Sequence, residues 1–481
     1  MLRTTPIPLP LLAAALILGA VIAIAGTKAF LAILALPLFL VLLIRPQVCL
    51  WVLIAVIPVT IDFGGGLTVT RMVLPPVLAA IFFNAAAERC PWPNPFATDA
   101  GRTALFFMLA VVAGVALSNA RVFDAESLTK EASGYLTRFV LFFVTLSMVK
   151  SARDIRHVLW VLVAVSIAEA LITIAQVHFR FVLPGDWRAA AQSKIDVSTD
   201  GFRAEGTTPH PIFLAGFLQM VLPFLALMIW RARGLLRPVL AGCFVLLLYA
   251  WFSTYSRSSF IGMALMAVAA AWLWWKASRA PLVGGAIVFL AILAAHGWSF
   301  PELARSIEQI RGVGAAFKSG ELYSSAGSFQ FRLESWAGGL NLFLAHPLTG
   351  VGLGQARFNY MPYLPDWAFS EIHPEAIHNS FIEVAAEEGL LGLVPLLGLW
   401  FIALRSIRRS WNDPELSDYA RALFIALIGQ LAFLAFTPMV RDMWFTLALA
   451  AAMGHIIQAR ITPAPVRRAS PVTSSAPPFP P

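Results

Sequence analysis

The feature that most constrains this chain is a recurrence: apolar windows return along almost its whole length. They fall at 8–26, 29–44, 48–61, 72–87, 104–118, 135–149, 157–178, 211–230, 238–255, 259–275, 282–298, 389–404, 419–437 and 443–458. A bilayer-crossing helix needs roughly 20 predominantly apolar residues. Hydrocarbon offers no partner to a free backbone N–H or C=O, so windows that span must be helical. Of 481 residues, 59% are hydrophobic (about 284 positions) and 13% are charged, against ~45–50% and ~25% in soluble domains. At roughly 20 residues per span this content allows about 14 spans and leaves little for a separate core. The expected fold class is therefore an all-α polytopic membrane protein of about 12–14 transmembrane helices with one large outer loop. A soluble enzyme of ordinary composition is excluded. The windows at 48–61 and 72–87 hold Pro58, Pro75 and Pro76, and are expected to be tilted, broken or re-entrant.

Charge gives the chain its direction. The formal net charge is +9, from 35 Lys and Arg against 26 Asp and Glu. Nucleic acid is not the expected partner, because the basic residues cluster beside spans. Lys150 with Arg153 and Arg156 form one cluster, Arg231 with Arg233 and Arg237 a second, and Lys276 with Arg279 a third. Arg405 with Arg408 and Arg409, then Arg460 with Arg467 and Arg468, complete the set. With the spans above all five fall on one side, which the positive-inside rule makes the cytoplasm. Both termini are then cytoplasmic, and Arg3 with the run from Leu9 to Ala25 reads as a retained signal-anchor helix. Cys49, Cys90 and Cys243 are scattered and form no disulfide framework.

This divides the chain into N-terminal transmembrane helices (1–298), an outer, periplasmic loop (299–388), C-terminal transmembrane helices (389–460) and a disordered cytoplasmic tail (461–481). The long loop is expected to contain a helix from Phe331 to Leu344 and a turn at Gly350, Gly352 and Gly354. Loops of that length are usually functional.

The topology gathers three polar features on the outer face: Arg203 before the span opening at Pro211, Arg257 in the tight Ser256-Arg-Ser258 turn, and His378 where a helix enters the membrane. Each also has a plain reading. Arg203 suits a solvated loop charge, Arg257 an interfacial side chain snorkelling to headgroups, and His378 a locally bonded helix-end residue. The chemical reading differs. A guanidinium grips a diphosphate through two parallel hydrogen bonds, and a histidine near its ordinary pKa of ~6.5 removes a proton at neutral pH. His373-Pro-Glu-Ala-Ile-His378 is not a metal motif: its Glu and second His come one place late, and Pro374 interrupts the helix required. No metal or other cofactor is expected. Glu169 lies within a span and should face the bundle interior, as a structural partner or toward substrate.

Arg332-Leu-Glu-Ser-Trp336, His346-Pro-Leu-Thr-Gly-Val-Gly-Leu-Gly354, His378-Asn-Ser-Phe381 and Glu388-Gly-Leu-Leu-Gly392 occur in that order. Together they resemble the signature of the O-antigen ligase and O-antigen polymerase superfamily. The Ser256-Arg-Ser258 turn and the Arg203 segment fit the same pattern, with Ser258 where many members carry Gly. The resemblance covers about residues 200–405 and does not separate ligases from polymerases. It implies a GT-C-like, inverting, metal-independent glycosyltransferase of the bacterial inner membrane. The donor would be an undecaprenyl-diphosphate-linked glycan, and the acceptor a lipid A core sugar or a growing polysaccharide. It further implies that Arg203 and Arg257 hold the diphosphate and that His378 activates the acceptor hydroxyl, while Arg332 and Trp336 shape the acceptor cleft or merely pack. The alternative from another class is a lipid-linked oligosaccharide flippase, which should carry charged or broken helices at the midplane in two related halves.

Overall fold

A computed structural model describes residues 39–60, 68–179, 203–274, 327–368, 376–438 and 442–461. Among these no β-strand occurs. The helices are α1 (Pro46–Ala55), α2 (Val69–Ala86), α3 (Asp99–Ala116), α4 (Ala125–Met148), α5 (Ala152–Phe179), α6 (Pro211–Arg231) and α7 (Leu236–Phe252). They continue with α8 (Arg257–Trp274), α9 (Gly327–Ala345), the short α10 (Ala356–Asn359), α11 (Ser380–Ser410), α12 (Ser417–Leu434) and α13 (Asp442–Ile461). Among the described residues seven helices are long and apolar enough to cross a bilayer: α2, α3, α5, α6, α11, α12 and, from Met443, α13. α1, α7 and most of α8 are apolar but shorter. The chain is a multi-pass membrane protein. The expected spans at 8–26 and 282–298, and most of that at 29–44, lie outside the described residues.

The expectation of a break at Pro75 and Pro76 needs correcting. Pro75 and Pro76 sit inside a continuous α2. Thr68 caps that helix by accepting from the Arg71 N–H at 3.3 Å, and buried Leu74 and Val77 flank the prolines. Packing holds the helix through the missing donors, as neighbouring helices allow in membranes. Pro58 lies just beyond α1, which stops at Ala55. Elsewhere apolar packing supplies the cohesion: Phe107 of α3 meets Trp444 of α13 at 5.3 Å between ring centroids, and Phe139 of α4 meets the same indole at 5.1 Å.

Long-range bonds identify which helix ends lie together. Arg231 pairs with Asp418 at 2.9 Å, and Arg460 pairs with Asp413 and Glu415 at 2.8 and 2.6 Å. The end of α6, the start of α12 and the end of α13 therefore share one end of the bundle. At the other end, the Thr60 N–H donates to the Thr207 carbonyl at 3.1 Å and the Ala204 N–H to that of Ser253 at 3.1 Å. Asn119 donates to the Gly350 carbonyl at 3.2 Å, and Ser380 to that of Thr437 at 2.8 Å. Arg203, the α7–α8 turn, the 346–359 segment and His378 are thus all at the end opposite the arginine–carboxylate pairs.

The segment from His346 to Gly352 is a strap across a break in α11. Gly389 has φ 64° and ψ −157°, so the helix is interrupted there. A Cβ at Gly389 would run into the Leu348 carbonyl, and the positive φ is one that L side chains rarely adopt. The strap satisfies the groups the break exposes. The Val351 and Gly352 N–H groups donate to the Ala386 and Glu387 carbonyls at 3.0 and 2.8 Å. The Leu390 and Leu391 N–H groups donate to the Pro347 and Leu348 carbonyls at 2.8 and 3.2 Å. Each buried backbone group left without such a partner would cost about 1–3 kcal/mol. Gly350, Gly352 and Gly354 all have positive φ, as expected of a turn. The buried Glu387 carboxylate accepts from the Gly354 and Ala356 N–H groups and fixes the strap's far side.

Candidate active site

The Arg203 segment is held between the ends of α5 and α7. Glu169, Thr173 and Gln176 recur on one buried face of α5, at the i, i+4, i+7 spacing that aligns side chains. Glu169 accepts from the Thr207 N–H at 2.9 Å and from the Thr207 hydroxyl. Gln176 Oε1 accepts from the Glu205 and Gly206 N–H groups at 3.2 and 2.8 Å, and its Nε2 donates to the Gly206 carbonyl at 2.8 Å. Gly206 has φ +61°, and a Cβ there would meet the Glu169 carboxylate. Glu169 therefore faces the interior as expected and is engaged with the 206–207 turn. Just beyond α7, the Thr254 carbonyl accepts from Arg203 Nε at 3.0 Å. A half-buried carboxyl, Glu205, lies two residues from Arg203, and burial pushes its pKa up to about 7.

That bond places Arg203 directly on the turn leading to Arg257. Tyr255 in this turn has φ 48°, an uncommon conformation for a bulky residue. Ser256 and Ser258 are buried with their hydroxyls 3.3 Å apart, and Ser259 Oγ donates to the Ser256 carbonyl at 2.7 Å. Arg257 opens α8; its backbone is described and its side chain lies outside the described residues.

His378 is half-buried with φ 56°. Besides Tyr255, the described residues hold one other non-glycine residue at positive φ, Glu88; of the three, His378 falls in a candidate motif and Tyr255 adjoins another. Strain of this kind persists where surrounding contacts over-determine it, and here they do. Trp336 Nε1 donates to the His378 carbonyl at 3.4 Å, Ser335 Oγ to that of Ile377 at 3.1 Å, and the Phe331 ring meets the imidazole edge-on at 5.9 Å. Asn379 then caps α11, accepting from the Phe381 and Ile382 N–H groups at 3.0 and 3.1 Å and donating to the Ala435 carbonyl at 3.1 Å. Arg332 is part-exposed on α9, beside Phe331.

The common support is α12. It packs against α6, which follows the Arg203 segment, against α8, which begins at Arg257, and against α11, which His378 precedes. Its terminal turn at 435–437 grips Asn379 and Ser380 directly. Sequence reasoning missed Asn379 as a cap, although Asn before a helical run is a recognised start signal. It also missed Gln176, whose seven-residue spacing from Glu169 was the available clue. No group of three or more His, Cys, Asp or Glu suited to holding a metal occurs among the described residues; His373 and Glu375 lie outside them.

These features define a multi-pass membrane protein with cationic and imidazole groups collected at one end of its bundle. Residues 242–397, from within α7 to within α11, match the family model Wzy_C, described as O-antigen ligase. The match includes Arg257, Arg332 and His378 and stops short of Arg203. The family implies a glycan-transferring enzyme acting on lipid-linked glycans. No curated protein matches the chain.

Proposed function

We propose that the protein transfers a glycan from undecaprenyl diphosphate to an acceptor sugar hydroxyl at the periplasmic face of the bacterial inner membrane, by a metal-independent, inverting displacement. The observation that carries this is the Arg203–Thr254 bond, which joins two arginine-bearing segments at the end where His378 heads α11. Arg203 and Arg257 hold the diphosphate. The acceptor oxygen attacks the anomeric carbon from the face opposite the leaving group. As that bond forms, the carbon–oxygen bond to the diphosphate breaks and the electron pair departs with it. The acceptor proton passes to the His378 imidazole. Fixed cations stabilise charge developing on the leaving group, the role that preorganised donors play best in a partly dry site. Arg332 lies on the acceptor side, carried by the helix that grips His378.

On this reading 1–298 and 389–460 are the membrane-embedded parts, 299–388 is the periplasmic loop, and the 461–481 tail and both termini face the cytoplasm. Purified protein given lipid-linked donor and a lipid A core acceptor should form a glycosylated acceptor in excess chelator. Activity lost to chelator and restored by a divalent ion overturns metal independence. Product built only on carrier-linked repeats would make the enzyme a polymerase, and movement of lipid without a new glycosidic bond would make it a flippase. Orientation is tested by cysteines at the exposed Asp366 and Asn412: only the first should label from the periplasm.

A further inference from the structure

We infer that α9 lies in the plane of the membrane, its Leu340 and Leu344 forming with Leu348 of the strap an edge seated among lipid acyl chains. The partner is the leaflet at the His378 end of the bundle, and the inference stands apart from the function proposed above. Leu340 is 45% exposed, Leu344 69% and Leu348 64%. The first two are four residues apart on α9, a spacing that places side chains on one face. The rest of the helix is covered by protein. A Cβ at Gly339 would run into the Ile377 and Ile382 side chains and one at Gly338 into the Tyr360 ring, while Leu342 is fully buried.

Chain lengths set the level at which this edge stands. Beyond its break α11 runs from Leu390 to Ser410, and α12 with its terminal turn from Ser417 to Thr437; at ~1.5 Å per residue each extends about 30 Å. Residues 411–416 join their other ends. Gly389 and Thr437 therefore stand at the same height, about one hydrocarbon thickness of ~30 Å from that turn. Ser380 donates to the Thr437 carbonyl at 2.8 Å, so the limb from Ser380 to Glu388 connects two points of equal height and runs along the membrane surface. α9 follows this limb. Its Trp336 holds the His378 carbonyl at one end, and at the other the strap that continues α9 crosses Gly389.

Continuity with the lipid-facing side of α11 supplies the occupant. Leu390, Val394, Leu397, Phe401 and Leu404 are 40–66% exposed, and their alternating spacing of four and three is the stripe one helix face presents. The Leu348 carbonyl accepts from the Leu391 N–H at 3.2 Å. Leu348 thus stands at the head of that stripe, and Leu344 and Leu340 carry it onto α9. Contiguous apolar surface of this kind marks an interaction face. An in-plane amphipathic helix buries such a face roughly 5–10 Å into the boundary between headgroups and acyl chains.

Full-length protein in lipid nanodiscs tests this placement. With Cys49, Cys90 and Cys243 replaced by alanine, single cysteines at Leu340, Leu344, Leu391 and Asp366 each carry a bimane fluorophore. Phospholipid bearing a nitroxide near the headgroup end of its acyl chain should quench Leu340→Cys and Leu344→Cys roughly twofold or more, and iodide in the buffer should quench neither. Leu391→Cys is the reference for lipid and Asp366→Cys the reference for water. Iodide quenching at both α9 positions without lipid quenching overturns the inference. Protection from both quenchers also overturns it, because protein, a second copy or another chain, would then cover the edge. Lipid quenching at Leu344 alone, with Leu340 open to iodide, would stand α9 upright and overturn the in-plane placement.

Discussion

The two ends of the bundle use arginine differently. At one end Arg231 and Arg460 meet carboxylates, and Arg231 also lies over the Tyr419 ring at 4.4 Å. At the other, Arg203 donates to a backbone carbonyl, and Arg71 and Arg357 donate to the hydroxyls of Ser133 and Ser127 at 3.0 and 2.8 Å. A carboxylate partner cancels most of the charge it fixes. A neutral oxygen orients a guanidinium without itself cancelling the charge. On the proposed function, the second end is the one that binds the donor.

The comparison is sharpest at His378, which should show the largest effect. General-base assistance is typically worth ~10²–10⁴-fold, so His378→Ala and His378→Gln should lose transfer on that scale and still bind undecaprenyl diphosphate normally. Near-parental transfer by the Gln variant would reduce His378 to a helix-end residue. Next comes Arg257→Lys, which keeps the charge and loses the two-pronged geometry. A loss of roughly 10- to 100-fold in donor affinity is expected, the range of hydrogen bonds to charged groups. Normal affinity in the Lys variant would show that charge alone suffices there.

Glu205 offers a smaller, pH-dependent effect. Burial raises its pKa in the folded chain to about 7, from an ordinary value of 4.5. The folded state therefore holds this proton more tightly than the unfolded state, and the group's contribution to stability is lost as pH rises from about 4.5 through about 7. Deprotonation also adds a negative charge near Arg203. Donor affinity should fall a few-fold between pH 6 and 8, and Glu205→Gln should flatten that profile. An identical slope in the Gln variant would assign the titration elsewhere. The smallest effect belongs to the opposite end. Arg231→Gln breaks a half-exposed pair with Asp418, and pairs of this kind contribute roughly 0–1 kcal/mol. Melting temperature should barely move and donor affinity should not change; a weakened donor would erase the distinction between the ends.

Much of this was legible in the sequence because it is local. Apolar windows marked α2, α3, α5, α6, α12 and α13, and the reading of 331–344 as helix anticipated α9. The opposed ends followed from counting spans, which is arithmetic along the chain. What escaped was the non-local pairing of backbone groups. Gly389 was visible in the sequence only as a member of the Glu388–Gly392 motif, and nothing near it announces that Pro347 and Leu348 will supply its neighbours' acceptors. Pro75 and Pro76 misled for the same reason: propensity speaks for an isolated helix, whereas packing decides in a bundle. The candidate site was legible as residue types on one face. The contacts that orient it, Asn379 on Ala435 and Gln176 on Gly206, depend on chain brought from 56 and 30 residues away.

The strap over the α11 break has a consequence for how this protein can change. Its four crossing bonds run between main-chain atoms, and Leu348 projects outward with 64% of its surface exposed. The side chain at Leu348 can therefore be exchanged with little disturbance to the crossing, whereas Val351 is buried and a Cβ at Gly350 would run into the Glu387 main chain. Length is another matter. Removing or adding one residue between His346 and Gly352 would slide every donor past its acceptor at once, on both sides of Gly389. The crossing is permissive at Leu348 and strict in spacing, so a one-residue insertion or deletion between Pro347 and Gly352 should not be tolerated.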